Sequence, residues 1–272
     1  MYSSSFHPQP PLSTVLVFAA SDPVSGAGVQ ADLLTLAALG CHPATVITAL
    51  TVQDTVGVAS VHPVAADLVE RQARAVLADM PVAAFKVGVL GSVDNARAVA
   101  AIAADYPRLP LILDPVLASG RGDAFADDAL MAALCEHLMP HTTLLTPNMP
   151  EARRLTAGIG TPDDTQDQIA AHLLSFGVQY VLLTGGHEIG ESVCNRLYAA
   201  SGLLREDCWQ RLPGEFHGSG CTLASACAAY LAQGQDITHA VRAAQNYTWQ
   251  SLAHAFRPGQ GQSIPNRMFQ HG

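Results

Sequence analysis

Lysine is nearly missing from this chain: Lys86 stands alone among 272 residues. A P-loop requires Gly-x-x-x-x-Gly-Lys-Ser/Thr, so that phosphate-binding motif is excluded, and any Schiff-base chemistry would fall on Lys86. There is no Gly-x-Gly-x-x-Gly fingerprint and no Gly-x-Ser-x-Gly elbow. None of the six cysteines (Cys41, Cys135, Cys194, Cys208, Cys221 and Cys227) forms a Cys-x-x-Cys pair, and the eleven histidines contain no His-Glu-x-x-His helix. Zinc ribbons, thioredoxin-like redox sites and zincin chemistry are thereby disfavoured. Basic runs are absent as well. Fourteen basic residues face 23 acidic ones, a formal charge of −9, which makes nucleic acid and anionic membrane surfaces poor partners. The most apolar stretch near the start, Val15 to Ala20, is too short to span a bilayer. The expectation is a soluble cytoplasmic protein with reduced, mostly buried thiols.

Hydrophobic residues make up 49% of the chain, enough for a large core and too many for disorder. Residues 1–13, with Ser3, Ser4, Ser5, Pro8, Pro10 and Pro11, read as a loose leader. Residues 257–272, rich in Gly, Pro and Gln, read as a tail, and residues 14–256 form one domain without repeats. Inside it, short apolar runs alternate with Ala/Leu-rich segments. Strands are expected at Thr14–Ala20, Ala44–Leu50, Ala83–Val89, Leu111–Asp114, Thr143–Thr146 and Tyr180–Thr184. Helices are expected at Ala27–Leu39, Ala65–Asp79, Asp94–Ala104, Asp127–His137, Met149–Thr156, Thr165–Ser175, Ser219–Ala232 and Ile237–Ala255, with a small β excursion at 193–212. Near-continuous apolar strands separated by helices imply an α/β fold, a mostly parallel sheet covered on both faces. Ligands in such folds sit beyond the carboxyl ends of the strands.

Those strand ends are polar and Gly-rich. Ala20–Gly28, Thr51–Gly57, Lys86–Leu90, Asp114-Pro-Val116, Thr146–Glu151 and Thr184-Gly-Gly-His187 follow the successive strands, and His217-Gly-Ser-Gly-Cys221 opens a long apolar helix. Glycine and proline end strands for conformational reasons alone, so each stretch by itself is weak; their accumulation at one edge is not. Gly218, Ser219 and Gly220 leave bare backbone N–H groups at a helix N-terminus, where the dipole adds positive potential for an anion. The alternative is an ordinary cap supplied by Ser219.

Over Val15 to Gly261 the chain resembles the hydroxymethylpyrimidine/phosphomethylpyrimidine kinases of thiamin biosynthesis, within the ribokinase superfamily. The resemblance is carried by Ser21–Asp32, Val46–Thr55, Lys86–Leu90, Leu113–Val116, Leu145–Ala152 and His217–Leu223. It implies a ribokinase-like three-layer sandwich, ATP-dependent phosphorylation of 4-amino-5-hydroxymethyl-2-methylpyrimidine and commonly of its monophosphate, Mg²⁺, and usually a homodimer. Where most of the superfamily has a catalytic Asp after Gly-x-Gly, this subgroup has Cys, here Cys221. Lysines common in the family are replaced by Thr184 before Gly-Gly-His and by Ala118 before Ser119-Gly120, with Arg121 close by. Arginine is no equivalent of lysine at a phosphate.

On these terms Gly218, Ser219, Gly220 and Cys221 are the candidate catalytic group. A thiol at a helix N-terminus is expected below its free pKa of about 8.5, able to take the hydroxymethyl proton. Gln53 is the candidate reader of the aminopyrimidine edge, since its amide matches a ring nitrogen beside an NH₂; the plain alternative is a loop-holding amide. Gly26, Ala27, Asp32, Val89 and Val116 complete the substrate side, with core packing equally consistent for the apolar three. Asn148, Thr184, Gly186 and Arg121 are assigned to the nucleotide. Asp114 and Glu151 are assigned to Mg²⁺, partly through water, against the alternative of solvated carboxylates. Lys86 has either a structural or a charge role, His187 is a loop or nucleotide-side histidine, and Trp209 and Trp249 read as packing. A pyridoxal kinase and a catalytically weak pyrimidine-binding protein are the rival functions.

Overall fold

The computed structural model describes residues 12–117, 125–186 and 190–271. The chain opens with β1 (Thr14–Ser21), α1 (Gly28–Ala38), β2 (His42–Gln53), β3 (Val58–Pro63), α2 (Ala66–Asp79) and β4 (Val82–Val87). It continues through α3 (Val93–Asp105), β5 (Leu111–Leu113), α4 (Asp128–Ala133), β6 (Leu144–Leu145), α5 (Met149–Thr156), α6 (Gln166–Ser175) and β7 (Tyr180–Leu183). An edge hairpin, β8 (Ser192–Ala199) and β9 (Gly202–Gln210), precedes α7 (Ser219–Ala232) and α8 (Ile237–Ala253). Among the described residues nine strands lie in the order β3-β2-β1-β4-β5-β6-β7-β8-β9. The six central strands are parallel, and β3, β8 and β9 are antiparallel additions at the edges.

Two apolar layers sandwich the sheet. Phe18, Phe85, Val87 and Leu113 pack toward α2, α3, α5 and α6; Val17, Ala84, Ile112 and Leu182 pack toward α1, α7 and α8. Side chains alternate along a strand, so Lys86, between Phe85 and Val87, falls on the α1/α7 side, paired in register with Val17 and Ile112. There its ammonium, 0% exposed, meets Asp32 of α1 at 2.9 Å, and Ser225 of α7 donates to the same carboxylate at 2.6 Å. Burial opposes the Lys86 charge, but Asp32 and the nearby Asp114 hold its pKa above the ordinary lysine value. This triad joins sheet and helices, and Lys86 also borders the cleft described below. α7 is buried on nearly every side from Cys221 to Ala229, and its small residues let it approach both β4 and α8 closely.

The expected elements are present with boundaries shifted by a few residues. β3 is additional; β2 runs on to Gln53 and folds back through a turn in which Asp54 accepts from the N–H groups of Val56 and Gly57. Two expectations are corrected. Cys194 and Cys208 are directly opposed in β8 and β9 and are joined as a disulfide, while Cys41, Cys135, Cys221 and Cys227 are free. The stretch read as a tail is packed: Ile264 and Arg267 are buried, Ile264 bridges Phe256, and Ser263 bridges Phe216. Among the described residues, no helix is long and apolar enough to cross a membrane.

Candidate active site

Beyond the carboxyl ends of the parallel strands lies a cleft of about 900 Å³. Its floor is the start of α7. Gly218 occupies the N-cap at φ 85° with no side-chain cap, so Ser219 is the first helical residue and does not cap. Ser219, Gly220 and Cys221 border the cleft, and the first-turn backbone N–H groups of this helix start receive no side-chain cap and have no intrahelical acceptor. Glycine is required at 218, because a Cβ would run into the Gly26 carbonyl. At 220 a Cβ would instead meet only the Asp114 carboxylate, at 3.8 and 3.9 Å, leaving a cradle between helix start and carboxylate.

The loop after β1 is folded around Asp22. Its carboxylate accepts from the N–H groups of Val24, Gly26 and Ala27 and from His217 Nε2 at 2.8 Å. Burial works against the Asp22 charge, but the His217 and backbone hydrogen bonds hold its pKa below the ordinary carboxylate value. His217 therefore staples the β1 loop to the α7 loop, with its ring against Gly26. Their pairing spans 195 positions and carries no local signal in the sequence.

Asp114 follows β5 beside this cradle. Burial lifts its pKa to about 6 against the pull of Lys86; Cys221 hydrogen-bonds to it, and among the described residues its Oδ2 is buried without a partner. Glu151 sits on the first turn of α5, where it closes a capping box with Asn148: Asn148 N–H donates to Glu151 and Glu151 N–H to Asn148, each at 2.9 Å. Burial, then the Asp114 charge, raises Glu151 to about 8. Cys221 departs from expectation: burial outweighs the helix N-terminus and Lys86 and pushes the thiol up to about 12. It rests as a neutral thiol.

Ala27, Gln53, Val89 and Val116 border the cleft, as do Asn148, Thr184 and Gly186. Two expected substrate contacts lie elsewhere. Asp32 is fully buried against Lys86 and Ser225, and Gly26 does not line the cleft but holds the loop behind it. Ala118, Arg121 and His187 lie outside the described residues. Trp209 and Trp249, expected as packing, both line the cleft, stacked with centroids 6.5 Å apart. Behind them Asn195 accepts from Gly185 N–H, Gln245 accepts from Asn195 and Trp209, and Gln245 donates to Asp207. Among the described residues, no cluster of three or more His, Cys, Asp and Glu side chains could cage a metal.

Fold comparison defines the class first. Staphylococcus aureus pyridoxal kinase in complex with AMP-PCP and pyridoxal matches with a TM-score of 0.84 at 26% identity, over 95% of this chain and 94% of that one. Clostridium difficile 630 phosphomethylpyrimidine kinase matches with a TM-score of 0.76 at 32% identity, over 88% and 99%. The architecture is that of the ribokinase-like small-molecule kinases. Within that class, the family model described as phosphomethylpyrimidine kinase matches residues 22–266. The chain belongs to the phosphomethylpyrimidine kinase family. The hydroxymethylpyrimidine/phosphomethylpyrimidine kinase of Mycobacterium tuberculosis is 40% identical over 261 residues, 94% of both chains. The thiamine biosynthesis bifunctional protein ThiED of Geobacter sulfurreducens is 37% identical over 258 residues; the chain spans about half (53%) of its length.

Proposed function

We propose that this protein transfers the γ-phosphoryl group of ATP to the hydroxymethyl oxygen of 4-amino-5-hydroxymethyl-2-methylpyrimidine, and then phosphorylates the resulting monophosphate. The observation that carries the reading is the uncapped start of α7 facing Asp114 across an open cradle, with Gln53 on the substrate side of the same cleft. Relatives named for both phosphorylations supply the substrate, and a solved neighbour with AMP-PCP supports ATP as donor. Gln53 favours the aminopyrimidine: its amide donates to the ring nitrogen and accepts from the exocyclic NH₂. The pyridoxal kinase neighbours favour a second reading, pyridoxal as a side substrate.

The N–H groups of Ser219, Gly220 and Cys221 receive the charge that builds on the transferred phosphoryl group. A neutral Cys221 thiol cannot accept a proton without giving one up. The assignment is therefore a relay: the hydroxyl proton passes to Sγ as the Sγ–H proton passes to Asp114, and the hydroxyl oxygen bonds to phosphorus as the bond to ADP breaks. Such a relay adds to the positioning and charge stabilisation on which phosphoryl transfer chiefly depends. Asp114, with its lone buried oxygen, and Glu151, with oxygens partly held by the α5 cap, fit a Mg²⁺ ion bound mainly by phosphates and water. Bound there, Mg²⁺ would neutralise phosphate charge. The proposal includes a cytoplasmic homodimer, as the family resemblance implies.

The test is coupled ADP release with the pyrimidine, with pyridoxal and with neither. Release stimulated by the pyrimidine supports the reading; stimulation by pyridoxal alone transfers it to the second reading, and none with either leaves a binding protein. Cys221→Ala should lose on the order of 10²-fold or more in turnover, with Cys221→Asp retaining more.

A further inference from the structure

Arg267 is the buried charge that the chemistry above does not use. It lies in the C-terminal segment, 2% exposed, with that segment fixed to α8 by Tyr247 hydroxyl to the Arg267 carbonyl at 2.7 Å and Asn266 N–H to the Ser251 carbonyl at 2.9 Å. Its guanidinium donates to four neutral acceptors: Thr222 Oγ1 at 3.0 Å, the Gly26 carbonyl at 2.5 Å, the Gly218 carbonyl at 3.3 Å and the Ser25 carbonyl at 3.4 Å. Among the described residues no carboxylate lies within 4 Å of it, although Asp22 and Asp32 are near enough to favour its charge. Asp22 is bonded to His217, and Asp32 to Lys86. A buried cation without a direct counter-ion is costly, and its retention implies that an anion completes it.

Its location identifies that anion. The Gly218 carbonyl belongs to the peptide whose N–H is that of Ser219, the first donor of the α7 cradle. A guanidinium on that carbonyl polarises the donor on the other side of the peptide. The same nitrogen, Nη2, also holds the Gly26 carbonyl, so one side chain sets the spacing of the β1 and α7 loops. We propose that Arg267 is a positioning residue for phosphoryl transfer: from behind the α7 cradle it aims the backbone donors and lends the positive charge that the transferred phosphoryl group completes. This rests on the phosphotransfer reading of the cleft.

The experiment compares Arg267→Met, which keeps the stem volume, with Arg267→Lys, which keeps the charge, in full-length protein checked for folding by thermal melts. The readouts are kcat and KM for the pyrimidine and ATP. Arg267→Met should lower kcat on the order of 10²-fold with KM for the pyrimidine changed less than about 3-fold, and Arg267→Lys should recover about 10-fold over Met. A folded Met variant with kcat equal to or above that of Lys overturns the inference, because packing alone would then explain the residue. If Met does not fold, Thr222→Val is read instead: it removes the Nε acceptor and keeps the charge. A kcat lowered about 3- to 10-fold supports the role, and an unchanged kcat refutes it. A parent that releases no ADP fails the phosphotransfer reading; an active parent with an equally active Met variant fails only this inference.

Discussion

Replacing Gln53 by Leu isolates substrate recognition from folding. Gln53 ends β2, half-buried on the cleft wall, and among the described residues its side-chain amide has no hydrogen-bond partner. The loop behind it is held by other groups. Asp54 closes the turn, and Thr55 is tied to the C-terminal segment through Gly261 N–H at 3.0 Å and Gln262 N–H at 2.9 Å. Removing the amide should therefore leave the melting temperature nearly unchanged. Binding should suffer, because two complementary hydrogen bonds to the pyrimidine edge are lost. At about 1–1.5 kcal/mol each, affinity falls roughly 30- to 150-fold. Calorimetry without ATP, using the pyrimidine and pyridoxal with parent and variant, reads this directly. Gln53→Glu keeps the acceptor for the amine and sets a carboxylate against the ring nitrogen, so pyrimidine binding should fail near neutral pH and partly return in acid. Equal losses for pyrimidine and pyridoxal would refute direct readout and reduce Gln53 to a loop residue.

Gly220→Ala should fold normally, since the new methyl makes only ordinary contact with Asp114, but it fills the cradle; turnover should fall about 10²–10³-fold, and normal turnover would remove the cradle from the mechanism. Lys86→Met strands the buried Asp32 carboxylate and should cost about 3–5 kcal/mol in chemical denaturation, most of it recovered in Lys86→Met/Asp32→Leu; a fully stable single variant would show that the pair is dispensable. Asp114 near 6 and Glu151 near 8 lie above their ordinary values of 3.8 and 4.5, so the folded protein holds extra protons between about pH 4 and 8. The stability they contribute is full below about pH 4 and is lost as pH rises through 6 and then 8. Ligand-free melts should therefore drop across that window, and Glu151→Gln should flatten the upper part; a drop unchanged in that variant would reject the assignment.

The elements that depend on local pattern were legible in the sequence. The apolar runs of β1 and β4 and the small-residue helix α7 follow from composition and period alone. β3 was not, because Val58–Pro63 is short, half-exposed and held mainly by pairing with β2. The site was legible where a residue's role is carried by its own backbone position, as at Gly218 and Gly220. It was illegible where the role depends on a distant partner. Asp32 looked like a cleft residue until Lys86 claimed it 54 positions away, and Arg267 sat in a stretch whose Gly and Pro content reads as a tail. For Cys221 the helix N-terminus was visible and the burial that outweighs it was not. Cys194 and Cys208 became a pair only once the β8–β9 register set them opposite each other.

The central claim is that the cradle at the start of α7 serves a pyrimidine read by Gln53. The most direct measurement places equal concentrations of 4-amino-5-hydroxymethyl-2-methylpyrimidine and pyridoxal in one vessel with the full-length protein, Mg²⁺ and limiting ATP, and follows both by mass. The account expects the pyrimidine to gain one phosphoryl group first and then a second, while pyridoxal stays largely unmodified. Preferential appearance of pyridoxal phosphate, or consumption of ATP with neither heterocycle modified, would contradict it.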